Sequence, residues 1–365
     1  MKRLTIVLLV LVVAFASATG YLGYKVATGP TDLETLTGLT ADKIATMSAL
    51  APVLSFSPED VPGVVGGEAF IDDLGRAVKV EGHSPVERIV SLDPAADEIL
   101  FRLGADSKLV AISNAWSGDA FAPDPVESWI TTPEDVDNEI EARVSNGELV
   151  ALSAFNVGPE AILDLEPDVV FVFGYTLPAY AEAIKDEVPV ICFAPTTLKD
   201  VLQDIVLIGK VVGKEAEAEK MVNGIKDDII DIASMTIDKP RPKVFCETGY
   251  YNGVVWTTGE ASFVSSLVIL AGGIDIGTPV PAANPIISPE YIVDSQPDLI
   301  ILLDAPYATA ASVAERSGWD KTPAVINGKV YELDTESLDK VTRPGPRIAE
   351  GLKVLLGKIH PELSK

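Results

Sequence analysis

Residues 159–173 (PEAILDLEPDVVFVF) and 289–303 (PEYIVDSQPDLIILL) are two copies of one pattern, 130 residues apart. Pro159/Pro289, Glu160/Glu290, Ile162/Ile292, Asp164/Asp294, Pro167/Pro297 and Asp168/Asp298 are identical pairs at that offset. Each copy opens with Pro–Glu, suited to a helix's first turn, runs for two turns, breaks at Pro–Asp and continues as an apolar strand. Two copies so far apart do not make a solenoid. They imply two similar lobes, each presenting a glutamate at the same structural position, as a two-lobed clamp does.

The chain has room for this. Its 365 residues allow two domains of ordinary size, and 47% apolar content excludes a disordered chain. The 28 basic against 54 acidic residues, a net charge of −26, argue against nucleic acid and against binding to an anionic membrane face. Solubility is the favoured reading of the acidity over an acidic binding surface. The start, MKRLTIVLLVLVVAFASATGYLGYK, carries Lys2 and Arg3 and then no charge until Lys25. Residues 1–25 therefore read as a signal peptide, with Ala16-Ser17-Ala18 resembling a cleavage site, or as an N-terminal membrane anchor flanked by Tyr21, Tyr24 and Lys25. The anchor is the preferred reading, and either one places the body of the protein outside the cytoplasm. The two cysteines, Cys192 and Cys246, sit in strand-like runs of different lobes and are expected to be buried free thiols.

Residues 26–68 look like a tether with one short helical stretch, and 69–80 read as a hairpin turning at Asp73–Gly75. The segment ERIVSLDPAADEILFRLGADSKLVAIS predicts strand, helix and strand, a βαβ unit of the parallel kind, with Asp93 as a cap for the helix. The first copy of the repeat and a strand ending at Phe193 complete an N-terminal α/β lobe, residues 69–195. From 196 to 237 the apolar spacing is helical almost without pause, weak only at Gly213. It predicts one rigid linking helix, long enough to cross from lobe to lobe. A C-terminal α/β lobe, 238–365, then repeats the order. The fold class is α/β: two Rossmann-like lobes with central, mainly parallel sheets joined by one long α-helix.

Signals for covalent chemistry are missing. The two histidines, His83 and His360, flank the lobes and cannot build a zinc or manganese site or a Ser-His-acid triad. No G-x-S-x-G, G-x-G-x-x-G or G-x-x-x-x-G-K-[ST] occurs. The expectation is a protein that is not an enzyme and has no cofactor of its own. What the sequence does carry is a set of aromatic residues near predicted strand ends: Trp116, Phe155, Tyr175, Tyr250, Tyr251 and Trp256. Parallel sheets collect ligands at those carboxyl ends, so the set is a candidate ligand surface.

From about residue 69 to 363 the chain resembles ABC-transporter solute-binding proteins of the ferric-siderophore and cobalamin type, the class III periplasmic-binding-protein fold. The resemblance rests on IDDLGRAV, ERIVSLDPAADEILFRLGA, PEAILDLEPDVVF, WTTGEASFVSSLVILAGG, ISPEYIVDSQPDLIIL, WDKTPAVINGKVYELD and RPGPR. It implies capture of a corrinoid or iron chelate (the ligand itself carrying cobalt or iron) between lobes that close only slightly. Delivery would go to a permease dimer with a cytoplasmic ATPase, the binder acting as a monomer. The resemblance places permease-docking residues at Glu160 and Glu290, and adds Asp339 and Arg343 as ligand-binding residues, Arg347 starting the last helix. The acidic insertion at 115–150 departs from the family's pattern. Few arginines await an anionic chelate, which favours a corrinoid or neutral hydroxamate. The alternative is a surface-anchored receptor or sensor ectodomain without transport.

Overall fold

The computed structural model describes residues 40–61, 69–80, 86–113, 140, 142–152, 157–304 and 308–364. The expected signal peptide or anchor lies outside them, as do Trp116 and Phe155. Among the described residues, no helix is long and apolar enough to cross a membrane.

The order begins with helix α1 (Ala41–Ser55) and a hairpin, β1 (Phe70–Ile71) and β2 (Ala77–Val78). The first lobe follows with β3 (Ile89–Leu92), α2 (Pro94–Arg102), β4 (Leu109–Ser113), β5 (Val150–Leu152), α3 (Pro159–Leu163), β6 (Val169–Phe173), α4 (Ala179–Ile184) and β7 (Val190–Phe193). Helices α5 (Leu198–Val212) and α6 (Glu215–Thr236) lead to β8 (Lys243–Tyr251), β9 (Val254–Thr257), α7 (Phe263–Leu270), β10 (Ile274–Asp275), β11 (Ile286–Ile287), α8 (Pro289–Ser295) and β12 (Leu299–Leu302). The chain ends with α9 (Ala310–Ala314), α10 (Pro323–Ile326), β13 (Val330–Glu332), α11 (Thr335–Thr342) and α12 (Ile348–Ile359).

The first sheet is wholly parallel, in the order β5-β4-β3-β6-β7. The second is mixed, β11-β9-β8-β12-β13 with β10 beside β8; β9 runs antiparallel to both β8 and β11. Both sheets have apolar faces on either side, which is why β3, β6, β7 and β12 are buried along their whole length or nearly so.

The sequence repeat is a structural repeat to the level of single side chains. Residues 158–172 and 288–302 show the same order of buried, half-buried and exposed positions without exception. Glu166 and Gln296 both take the left-handed conformation, φ 46° and 51°, turning the chain into Pro167 and Pro297. Asp168 and Asp298 then clasp the neighbouring strand's start. Oδ2 of Asp168 accepts from the amides of Glu87 and Arg88 at 2.8 and 2.9 Å, and Oδ2 of Asp298 accepts from the amide of Lys243 at 2.8 Å. Even the basic partners correspond: Arg88 donates to the carbonyl of Leu165, and Lys243 to that of Ser295. The repeat persists because each lobe needs the same carboxylate to hold its central strands in register.

The hairpin covers an edge. β7 is the last strand of its sheet, and its free side is met by side chains instead of a strand: Asp72 accepts from the amide of Cys192, Asp73 from Ala194, and Arg76 donates to the carbonyl of Val190. These bonds satisfy groups that would otherwise template pairing with another chain. Cys192 and Cys246 are buried free thiols in separate sheets.

Two expectations are corrected. The linking segment is two helices, not one. Gly213 closes α5 in the left-handed conformation (φ 73°) and Lys214 starts α6 from a non-helical one. Gly209 lets the two pack against each other, since a Cβ there would stand 2.4 Å from that of Ala218. The tether is the second correction: residues 41–55 belong to the body. Met47, Leu50 and Val53 of α1 are buried against α5, α6 and α7. Polar clamps add to this, with Lys210 donating to the carbonyls of Pro58 and Val61, Lys226 to Phe56, and Arg241 to Asp42 and Thr46. A single apolar cluster thus runs from Ile89 and Ile99 of the first lobe through α1, α5 and α6 to Leu267 and Leu352 of the second.

A packed α1 has a measurable consequence. Leu50→Ala should lower the free energy of unfolding by about 2–5 kcal/mol, read from urea denaturation. An effect within about 0.5 kcal/mol, the size of a surface change, would return this segment to the role of a tether.

Candidate functional site

Strands of a parallel sheet end together, and the loops beyond those ends face outward as a group. Here the carboxyl ends of the two sheets contribute to one cavity of about 230 Å³. From the first lobe come Tyr175, two residues past β6, and Pro195 and Thr196, just past β7. From the second come Thr248 in β8, Thr258 past β9, Ser262 with Phe263 and Val264 at the start of α7, Ala283 and Asn284 before β11, Leu303 past β12 and Thr342 at the end of α11. Polar side chains in the lining are those of threonine, serine, asparagine and Tyr175; among the described residues no charged side chain lines it.

Three of the hydroxyls already donate to neighbouring groups of the protein. Thr196 Oγ1 donates to Asp200, Thr258 Oγ1 donates to Asp275 at 2.7 Å, and Thr342 Oγ1 donates to the carbonyl of Leu338 at 2.9 Å. Asp200 also closes the capping box of α5 with Thr197, so its position is set by the helix start. Thr248 Oγ1 is shielded from solvent with no hydrogen-bond partner among the described residues.

Behind the first-lobe side of the cavity lies a set of carboxyl groups. Asp93 caps α2 by accepting from the amide of Ala95, as the Asp-Pro sequence predicts. Burial pushes its carboxyl up to about 6 against the downward pull of the Ala95 and Ala96 amides and of Arg343. Burial also raises Asp73 to about 6, and lifts Asp97 and Asp204 well above the ordinary range, with the neighbouring aspartates adding to each. On the second-lobe side, burial raises Asp275 beneath Thr258.

The sequence-predicted residues divide. Tyr175 lines the cavity, 58% exposed, its ring edge-on to Phe173 at 5.8 Å. Tyr250 lies over the guanidinium of Arg316 at 3.8 Å and, with Glu290, Asp294 and Trp319, borders a separate cavity of about 370 Å³. Tyr251 is exposed at the tip of the β8–β9 hairpin, and Trp256 pairs with Ile286 of β11. Glu160 and Glu290 are exposed in the first turns of α3 and α8.

Asp339 and Arg343 sit beside the cavity, next to Thr342, in a junction between the lobes. Arg343 pairs with Asp339 at 3.0 Å and approaches Glu98 of α2 at 3.8 Å, while Arg347 meets Glu98 at 2.7 Å. The side chain of Glu98 is 1% exposed, so this cross-lobe pairing is shielded from water, and breaking it from one side would leave a buried charge alone. Arg347 caps α12, consistent with its reading as the start of the last helix. Pro195, Thr196, Thr248, Thr258, Ser262, Asn284 and Thr342 are absent from the sequence-predicted set. Their signal is faint, namely small polar residues just beyond strands, which look the same as ordinary turn residues.

Comparison with known proteins agrees with this architecture. A family model described as "Periplasmic binding protein" matches residues 89–337. The chain is similar to an uncharacterized ABC transporter substrate-binding lipoprotein of Bacillus subtilis, 29% identical over 307 residues, 81% of this chain and 86% of that one. A cobalamin-binding protein of Halobacterium salinarum is 26% identical over 287 residues, covering 76% and 70% of the two chains. Among solved structures, a possible iron-binding periplasmic solute-binding protein from Staphylococcus epidermidis superposes with a TM-score of 0.60 at 24% identity, covering 76% of this chain and 99% of that one.

The buried carboxyl groups make stability depend on pH in a defined direction. Above the ordinary aspartate value of 3.8 the unfolded chain has released these protons, whereas native Asp73 and Asp93 hold theirs up to about 6. Stability therefore falls as pH rises through that window. Urea midpoints should be higher at about pH 5 than at about pH 7.5, the loss approaching about 1.4 kcal/mol for every pH unit over which one such group keeps its proton only in the native state. Asp97→Asn, which keeps the shape without the charge, should flatten the dependence; an unchanged slope would mean that Asp97 does not hold its proton in the native state.

Proposed function

Because the chain belongs to the periplasmic binding protein family, we propose that it is the extracytoplasmic solute-binding component of an ABC importer, capturing a corrinoid or an iron chelate between its lobes and delivering it to a permease. One observation carries the reading: two lobes share a cavity at the carboxyl ends of their sheets, and each presents an exposed glutamate from the same position of a duplicated helix. A helix that leads into a strand of a parallel sheet starts on the carboxyl side of that sheet. Glu160 and Glu290 therefore belong to the cavity side of their lobes, where a partner reaching over the ligand meets both. Carboxylates in a helix's first turn are electrostatically favoured there and remain free to pair with cationic groups of a permease dimer.

The cavity of about 230 Å³ is smaller than the roughly 300–1,000 Å³ that encloses a drug-sized ligand. It takes one edge of a large, flat molecule, while the exposed ring of Tyr175 offers a face to the rest. Tyr250, Tyr251, Trp256, Asp339 and Arg343, with Trp116 and Phe155, remain proposed contributors to ligand binding. The continuous apolar cluster between the lobes favours small closure over a wide hinge. The protein works by binding and release, without covalent chemistry. Residues 1–25 act as a signal peptide or, in the preferred reading, hold the protein at the membrane by burial of an uncharged run; the cysteines of the sequence are Cys192 and Cys246, neither of them near that segment.

Reversing both charges, Glu160→Lys with Glu290→Lys, should leave calorimetric affinity for cyanocobalamin within about twofold, since surface changes away from a site are small. Uptake in cells should be abolished. Normal uptake by the double variant would remove the docking role. Binding without any uptake by the unmodified protein would turn the reading toward a receptor ectodomain.

A further inference from the structure

Among the described residues, the cavity between the lobes is lined by neutral side chains, with nothing cationic. A hydroxyl has one proton to give and two lone pairs to offer. Thr196, Thr258 and Thr342 have each spent that proton on Asp200, Asp275 and the carbonyl of Leu338, behind the cavity wall. Thr258 is fully buried; Thr196 and Thr342, partly exposed, have lone pairs left for a ligand, while Tyr175, Thr248, Ser262 and Asn284 keep donors of their own. Two of the three lie against a carboxyl group, which adds negative potential to the same face.

Among the described residues, no arginine is held in reserve. Arg316 is bound to Glu247 in the second sheet, and Arg343 and Arg347 to the Glu98 and Asp339 carboxylates. Arg76, Arg102 and Arg143 are paired with Asp72, Glu98 and Asp106; Arg88 and Arg241 donate to main-chain carbonyls. The internal segments outside the described residues contain no lysine or arginine, and the stretch 114–139 alone brings seven acidic residues. With a net charge of −26, the molecule as a whole repels anions on approach.

From this geometry we infer that the cleft is a charge filter: it accepts ligands whose edge groups carry no negative charge, such as carboxamides or ammonium groups, and rejects ligands that present carboxylates or catecholates. The inference rests on the corrinoid-or-chelate reading above and narrows it. A carboxamide N–H has the lone pairs of Thr342 to meet, and its carbonyl the donors of Ser262 or Asn284. A carboxylate in the same place finds no cationic partner in the lining and is left as a desolvated charge without a counter-charge, a costly arrangement in a shielded site.

The test is calorimetry on the full chain with four probes: cyanocobalamin, its derivative with one carboxamide hydrolysed to a carboxylate, a cationic ferric trihydroxamate, and haemin. Binding of cyanocobalamin or the cationic chelate is expected, with the carboxylate-bearing derivative and haemin weaker by about 100-fold or more, the loss expected for a charged group left unpaired. Raising salt from about 0.05 M to about 0.5 M should narrow the part of that gap that comes from long-range charge. Two variants keep the idea open to refutation. Thr342→Val preserves shape and should weaken the neutral probe about fivefold or more, the loss of one hydrogen bond, with an unchanged melting temperature. Asn284→Lys, at an exposed lining position, should improve haemin binding about tenfold by placing a cation at the rim. Haemin or the carboxylate derivative binding as tightly as cyanocobalamin would overturn the filter and leave the transport role standing. Silence from all four probes would overturn the corrinoid-or-chelate reading, and the filter with it.

Discussion

The continuous apolar seam between the lobes is the constraint on which the rest depends. Val201, Ile205 and Ile208 of α5, Val222 and Ile229 of α6, Leu50 of α1 and Leu352 of α12 are all in one buried cluster. Opening the lobes widely would expose that surface at roughly 25 cal/mol per Å². The cleft is therefore nearly preformed, and its lining is decided by folding more than by the arrival of a ligand. Helix α1 strengthens this, because it packs on helices of the linking segment and the second lobe and is tied by Lys210, Lys226 and Arg241.

Rigidity also explains why ionic groups can be kept at the lobe junction. Glu98 with Arg343 and Arg347 is shielded from water, a costly arrangement unless the geometry is held. The seam holds it. The same fixed geometry keeps Asp93, Asp97 and Asp204 buried close to one another, so that burial and mutual repulsion raise all three. In a looser molecule water would enter and the carboxyl groups would ionise as usual.

The duplicated unit shows how one local solution serves two lobes of different sheets. The first sheet is wholly parallel and the second mixed, yet Asp168 and Asp298 perform the same clasp at the start of the central strands. The clasp needs the left-handed turn before the proline, and both copies supply it with a non-glycine residue, Glu166 or Gln296. The strain of that conformation is accepted because the following strand's register depends on it.

Local pattern alone was enough to read the lobes, their mainly parallel sheets, the Asp93 cap, the duplicated helices with their glutamates and the buried thiols. Each of these is a short-range signal: a cap, an apolar period or a repeat whose meaning is contained in about ten residues. The remainder needed the assembled fold. Gly213 reads as a weak point in one helix, and whether the chain turns there depends on Gly209 meeting Ala218 across the turn. Residues 41–55 read as a stretch of tether because their apolar residues mark no single face, and only the meeting of three other helices buries Leu50. The cavity lining lies deepest out of sight. Thr196, Thr258 and Thr342 are ordinary turn or helix-end residues until folding brings strand ends of two sheets together, and the direction of a hydroxyl proton is set by whichever carboxylate or carbonyl the fold places behind it.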